Sequence, residues 1–299
     1  MNPVVRVKCL RHVYPDKTEV RLCGLEFVVY PGEKVVILGP NGSGKTTLLA
    51  HIMGLLKPVD GEISVLGVDS SRNFVALRRR MGVVFQNVDE QIIGPTVWDD
   101  VALAPRNHGL SAQEVRARVE GILRDAGILH LADKVPHYLS GGEKKKVALA
   151  GAMVMGPELL ILDEPFDGLD PRSKKELVDL LWKFNRECGT TIVMTDHDVN
   201  LVPLIADRVY VISGGMIRFD GTPRELFGRP ELLGQANLEP PVLAELFAGL
   251  AREGLPVQVP LTVEEARQQL RSLLKGYVGC GRPEHGRDVH AAGAAPAEG

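Results

Sequence analysis

The sequence predicts an α/β fold whose buried strands present their carboxyl ends to a phosphate-bearing ligand, and three stretches carry that prediction. An apolar run at residues 34–38 leads into Gly39, Pro40, Asn41, Gly42, Ser43, Gly44, Lys45, Thr46 and Thr47, and a helix-like run follows over 46–56. A second apolar run, 159–162, ends in Asp163 and Glu164. A third strand pattern, 190–196, ends at His197. A strand buried on both faces must be apolar through its middle, so its polar residues collect at its end, where ligands bind in open α/β sheets.

The turn at 39–46 satisfies G-x-x-x-x-G-K-[ST] at every constrained position. Glycines let backbone N–H groups turn inward onto phosphate oxygens, and the helix that follows adds positive potential at its N-terminus. Lys45 can then reach the β- and γ-phosphates, and the Thr46 hydroxyl can ligate Mg2+. Strand, lysine-threonine and helix together point to a bound nucleoside triphosphate. Behind such a loop, Asp163 can hold a metal-bound water and Glu164 can polarise an attacking one. His197 sits beside the same site and could serve the chemistry or only the packing, with its placement favouring the chemistry.

Composition narrows the class. The chain has 299 residues, 44% hydrophobic and 24% charged, with a formal net charge of −3. That is room for one large domain and a small appendage, without the basic footprint of a nucleic-acid binder. The first residues lack a basic segment followed by an apolar core, which argues against secretion, and no apolar stretch approaches the roughly 18 residues of a membrane span. Cys9, Cys23, Cys188 and Cys280 are far apart in the chain and form no C-x-x-C pair, so they are expected as reduced thiols.

In chain order, residues 4–8 and 20–29 read as two antiparallel strands around a turn at 14–18. Tyr14 stands at the mouth of that turn, where it could stack on a purine or pack on the sheet edge. Strands are expected at 61–67 and 82–86, with a short helix at 73–80 between them, while 87–107 is punctuated by Pro95 and Pro105. Ser111 and Glu114 form a capping box for a helix whose apolar face carries Val115, Val119, Ile122 and Leu123. The stretch from about 88 to 158 reads as a helical insertion. Within it, Ser140, Gly141 and Gly142 open a helix over 147–155 and make a second potential anion site, or an ordinary loop before a buried helix. Asp170-Pro171 caps a helix, 209–213 and 216–219 form a hairpin through Gly214-Gly215, and Thr222 starts a short helix. A last helix is expected from Thr262 to about Leu274, and 276–299 is expected to be disordered, so that Cys280, His285 and His290 make no specific metal site.

Taken in this order, the motifs of residues 3–230 resemble the nucleotide-binding subunit of ATP-binding cassette (ABC) transporters. Residues 39–46 are similar to its Walker A loop and 159–163 with Glu164 to Walker B and the catalytic glutamate. Gln86 is similar to the Q-loop glutamine, 139–143 to the signature motif, 168–170 to the D-loop and His197 to the switch histidine. The resemblance implies a P-loop NTPase fold with an antiparallel β subdomain and an inserted helical subdomain. It implies an ABC domain over 1–230, a C-terminal helical extension over 231–275 and a flexible tail over 276–299. It gives Tyr14 the role of stacking on adenine, and it places Gln86 with Thr46 and Asp163 around Mg2+. It also implies a dimer in which Ser140, Gly141 and Gly142 of one subunit close over the ATP held by the phosphate loop of another.

Residues 85–91 and 95–102, the lysines Lys144, Lys145 and Lys146, and residues 260–266 are similar to the energy-coupling factor group of importers, which take up cobalt, nickel and vitamins. Val88, where that group usually has proline, and Phe166, where a small residue is commoner, depart from the pattern. The resemblance implies an ATPase at the cytoplasmic face of the membrane. Its partners would be a second ATPase subunit, either an identical copy or a related paralogue, a transmembrane coupling protein and a substrate-binding membrane protein, with no nucleic acid and no direct contact with cargo. A cobalt or nickel importer is the leading reading. A vitamin-type importer, a conventional transporter and a soluble cassette protein acting on DNA or ribosomes are the alternatives.

Overall fold

The computed structural model describes residues 2–278. Three strands open the chain: β1 Val5–Val13, β2 Glu19–Gly24 and β3 Phe27–Val29. The run expected as one strand over 20–29 is therefore two. Gly24 adopts φ 92, a left-handed conformation that favours glycine, and the chain turns there. β1 pairs antiparallel with both products, through Leu10↔Leu22 and through Val5↔Val29.

That pairing corrects the reading of the cysteines. Cys9 and Cys23 form a disulfide, with Cα atoms 4.1 Å apart. They are 14 residues apart in the chain, but the Leu10↔Leu22 register sets them opposite one another across neighbouring strands. Cys9 has φ 46 and lies where the pairing of β1 shifts register, a bulge that re-aims its side chain. Cys188 is free and exposed, and Cys280, His285 and His290 lie outside the described residues.

The chain continues through β4 Lys34–Leu38, α1 Lys45–Ile52, β5 Asp60–Val65, α2 Phe74–Leu77 and β6 Met81–Val84. A helical segment follows with α3 Val88–Gln91, α4 Val97–Asn107, α5 Ala112–Asp125 and α6 Gly141–Met153. Then come β7 Leu159–Asp163, α7 Pro171–Cys188, β8 Thr191–Asp196 and α8 Val202–Ile205. The hairpin β9 Arg208–Ser213 and β10 Met216–Gly221 is followed by α9 Pro223–Phe227, α10 Pro230–Gln235, α11 Val242–Arg252 and α12 Val263–Val278. Helix α12 thus continues past the expected end at Leu274, into the stretch expected to be disordered.

Ten strands form one sheet in the order β3-β1-β2-β10-β9-β4-β8-β7-β6, with β5 paired to β1. The centre is parallel: β4 lies between β9 and β8, and β7 between β8 and β6. All residues of β4, β7 and β8 are buried, and their side chains alternate between two cores. Val36, Leu38, Leu160, Leu162, Ile192 and Met194 face the helical side, where Val147, Leu149, Leu177 and Leu181 cover them. Val35, Ile37, Leu159, Ile161 and Val193 face the other side, against Leu48 and Ile52 of α1 and Val5, Leu10 and Phe27 of the antiparallel ribbon. This explains the uninterrupted apolar runs, since neither face is wet. The register aligns Leu38 with Asp196 and Asp163 with Thr195, so the carboxyl ends of the three strands finish side by side.

Candidate functional site

The phosphate loop leaves β4 at Leu38 and enters α1 at Lys45. Gly42 and Gly44 have φ 76 and 100, and a Cβ on Gly44 would come within 3.0 Å of Val20 in β2. Glycine here is a matter of both backbone and space. Lys45 is buried, and its Nζ donates to the carbonyls of Gly39 (2.8 Å) and Pro40 (3.3 Å). Ser43 Oγ is buried without a partner, and Asn41, Gly42 and the Thr46 side chain are exposed. An orphaned hydroxyl in a turn of left-handed glycines is a cradle fitted to an oxyanion.

Glu164 follows directly on β7 with φ 44, a region that non-glycine residues seldom occupy. Thr195, fully buried on β8, holds it there: the Glu164 N–H donates to Thr195 Oγ1 (3.0 Å), whose own proton goes to Asp163 Oδ1 (2.6 Å). One hydroxyl therefore fixes both carboxylate-bearing residues. Glu164 Oε1 lies 3.8 Å from Lys45 Nζ and Oε2 lies 3.6 Å from His197 Nδ1, while Gln86 Nε2 donates to Oε2 at 3.1 Å. Lys45, Gln86 and His197 are thus gathered from three separate stretches around the Glu164 carboxylate.

Gln86, Glu164 and His197 line a cleft of about 920 Å3 with Gly39, Pro40 and Asn41, together with Asp167, Lys174, Asp196 and residues 237–240, while Lys45, Thr46 and Asp163 are not among its lining residues. Asp167, Lys174, Asp196 and residues 237–240 escaped sequence reasoning. Asp196 is buried with Oδ2 unpartnered, and burial pushes its carboxyl above the usual range against two backbone N–H bonds. Residues 237–240 join α10 to α11 and reach the cleft by tertiary packing, for which no local pattern exists. Lys145 of α6 is buried and donates to the Gln86 carbonyl at 2.8 Å, tying the glutamine loop to the helical segment. Burial lowers its ammonium pKa, and the carboxylates of Asp167, Asp163 and Glu164 oppose that shift.

Ser140, Gly141 and Gly142 are not among the residues lining this cleft. Ser140 caps α6, accepting from the Glu143 N–H at 3.4 Å, while the Glu143 carboxylate takes the Ser140 N–H at 2.8 Å. Both Ser140 and Gly141 are exposed, and Tyr138 beside them is 82% exposed. Tyr14 stands apart from the cleft as well, its hydroxyl 2.9 Å from Thr47 Oγ1.

Comparison with known proteins decides what this arrangement belongs to. The ABC transporter family profile matches residues 22–167. The energy-coupling factor transporter ATP-binding protein EcfA of Methanocaldococcus jannaschii is 43% identical over 276 residues, covering 91% of this chain and 98% of that protein. The chain belongs to the ABC transporter ATPases, in the energy-coupling factor group. Among solved structures this ATPase is similar to cbiO1 from Clostridium perfringens, described as part of the ABC transporter complex cbiONQ. The two share 40% identity and a TM-score of 0.72 over 82% of this chain and 99% of that one. It is also similar to the ATP-binding cassette MJ0796, a dimer in a post-hydrolysis state bound to ADP and Pi, with 29% identity, a TM-score of 0.66, and coverage of 74% and 99%. The fold is accordingly that of an ABC ATPase, and the chain binds and hydrolyses ATP. No helix among the described residues is long and apolar enough to cross a membrane.

Proposed function

We propose that this ATPase energises an energy-coupling factor importer of cobalt or nickel, working from the cytoplasmic face of the membrane with a coupling protein and a substrate-binding membrane protein. The likeness to cbiO1, part of the transporter complex cbiONQ, supports work within a multi-subunit transporter, the dimeric MJ0796 supports pairing with a second ATPase subunit, and the cargo rests on the resemblance of residues 85–102 and 260–266 to the group. The observation that carries the chemical part is the left-handed Glu164, pinned by Thr195 within 4 Å of both Lys45 and His197. Backbone strain persists where surrounding contacts over-determine it, and function is a common reason.

In this reading Lys45 and the backbone N–H groups of residues 41–47 hold the β- and γ-phosphates. Glu164 orients and polarises the attacking water, and His197, 54% exposed on its side chain, reaches the γ-phosphate and registers its loss. Thr46, Gln86 and Asp163 would hold Mg2+, and their all-oxygen donor set suits that hard cation. When bound, Mg2+ neutralises charge developing on the phosphate oxygens. Ser140 and Gly141, both exposed, and the half-buried Gly142, none of them lining their own chain's cleft, would face the nucleotide of the second subunit. Tyr14 would stack on the adenine, and residues 1–230 would act as the ATPase unit, with 231–275 as an appended helical segment.

The test is twofold. Glu164→Gln protein should bind ATP while hydrolysing it at under about a hundredth of the wild-type rate, since a group used only in the transition state costs kcat and not binding. Cells lacking this chain should lose uptake of radiolabelled cobalt or nickel. Hydrolysis at the wild-type rate would remove Glu164 from the mechanism, and intact uptake would remove the cargo.

A further inference from the structure

Four residues close a ring between the N-terminal ribbon and the helix after the phosphate loop. The Tyr14 hydroxyl and Thr47 Oγ1 are 2.9 Å apart. The Thr47 carbonyl accepts from His51 Nδ1 at 2.7 Å. The His51 ring meets that of His12 edge to face, with centroids 4.8 Å apart and planes at 76°. The His12 ring meets Tyr14 in the same way, at 4.5 Å and 79°. His12 comes from β1 and Tyr14 from the turn after it, whereas Thr47 and His51 stand one turn apart on α1.

The chemistry of the ring is specific. A carbonyl can only accept, so neutral His51 carries its proton on Nδ1, which leaves Nε2 as a bare lone pair. That atom is buried and without a partner, an unfavourable arrangement that an aliphatic side chain would avoid. What the imidazole provides in exchange is the bond to Thr47 and an aromatic surface for His12. His12 is 8% exposed, and its Nδ1 lies 3.3 Å from the Lys57 carbonyl, which fixes its ring from the far side. Its own turn holds Tyr14 by the backbone, the Tyr14 N–H donating to the Thr18 carbonyl at 2.8 Å and its carbonyl accepting from the Lys17 N–H at 2.9 Å, while Pro15, Asp16, Lys17 and Thr18 are exposed.

We propose that His12 and His51 are positioning residues that lock the Tyr14 ring to the phosphate loop, so that base platform and triphosphate cradle move as one piece. The proposal rests on the reading of Tyr14 as the platform for the purine of ATP. Its content is that base recognition depends on two histidines that touch no nucleotide, and that Thr47 joins the two halves of the site.

The test compares binding of ATP with binding of inorganic tripolyphosphate, which has the charge and no base. His12→Ala should weaken ATP by about fivefold, the worth of one aromatic contact, and leave tripolyphosphate unchanged. His12→Phe, which keeps the ring, should recover most of the loss. Tyr14→Ala should weaken ATP at least as much, and His12→Ala added to it should cost nothing further, since coupled residues are not additive. Thermal melts check that each variant is folded, and His12→Leu replaces His12→Ala if the latter is not. The proposal is overturned if His12→Ala weakens both ligands alike, if it weakens neither, if His12→Phe recovers nothing, or if its effect adds in full to that of Tyr14→Ala. ATP affinity unchanged in Tyr14→Ala is a separate outcome: it refutes the purine platform, and the role of the histidines falls with it.

Discussion

Replacing Thr195 by valine removes one hydroxyl, keeps the shape of the side chain and leaves the identity of every cleft-lining residue unchanged. The hydroxyl donates to the Asp163 carboxylate at 2.6 Å and accepts from the Glu164 N–H at 3.0 Å, and Thr195 is fully buried. A buried bond to a charged group contributes about 1.5–3 kcal/mol, and a neutral one about 1 kcal/mol, so the loss should be about 3 kcal/mol. For a domain of this size that lowers Tm by about 6–12 °C. Catalysis should suffer separately. The left-handed backbone of Glu164 is held at a cost of about 1–3 kcal/mol, and without its bond it relaxes toward ordinary φ and carries the carboxylate away from Lys45 and His197. A shift of about 1.4 kcal/mol in the transition state is tenfold, so kcat should fall by about tenfold while KM for ATP changes by less than about twofold. Phosphate release under saturating ATP, with differential scanning calorimetry on the same samples, measures both. Wild-type kcat together with a Tm within a degree would refute the claim that Thr195 fixes the carboxylate pair.

Other outcomes follow from the same geometry. Lys45→Ala should weaken ATP by about 10- to 100-fold, the range of a charge-assisted contact, in equilibrium binding by fluorescence. Burial pushes the His51 pKa below its ordinary value, so near and below pH 6 the unfolded chain binds a proton that the folded one refuses. The stability from neutral His51 is complete above that ordinary value and declines as the pH falls through it, and melts at about pH 7.5 and about pH 5.5 should differ more for wild type than for His51→Leu. The Cys9–Cys23 bond spans 14 residues. A loop of that length stabilises by about 3 kcal/mol, so Cys9→Ser should lower Tm by about 6–12 °C relative to oxidised wild type, and reductant should move wild type toward the variant.

What could be read from the sequence was what lies contiguously along it. The glycine turn of residues 39–47, and the strands ending in Asp163 and near His197, announce themselves because a buried strand and a phosphate loop each impose residue types at fixed spacing. Contacts between distant segments left no such trace. Cys9 and Cys23 meet only once the register of β1 and β2 is known, and Thr195 gains its importance only because β8 lies beside β7. Residues 237–240 reach the cleft through packing alone. Local signals were also weighed wrongly. The proline at 105 hid α4, although Thr96 and Asp99 mark its start, with the Asp99 N–H donating to Thr96 Oγ1 at 3.1 Å. Gly24 lies inside the run expected as one strand, whereas its left-handed backbone closes β2 and separates it from β3.

Light scattering on Glu164→Gln protein with Mg-ATP reads whether a nucleotide is clamped between two copies of the chain. The 32.5 kDa chain should double in mass when ATP is added, and Ser140→Arg in the same background should abolish the doubling while each chain still binds ATP. A particle that stays at monomer mass with ATP bound, or a dimer indifferent to Ser140→Arg, would contradict it.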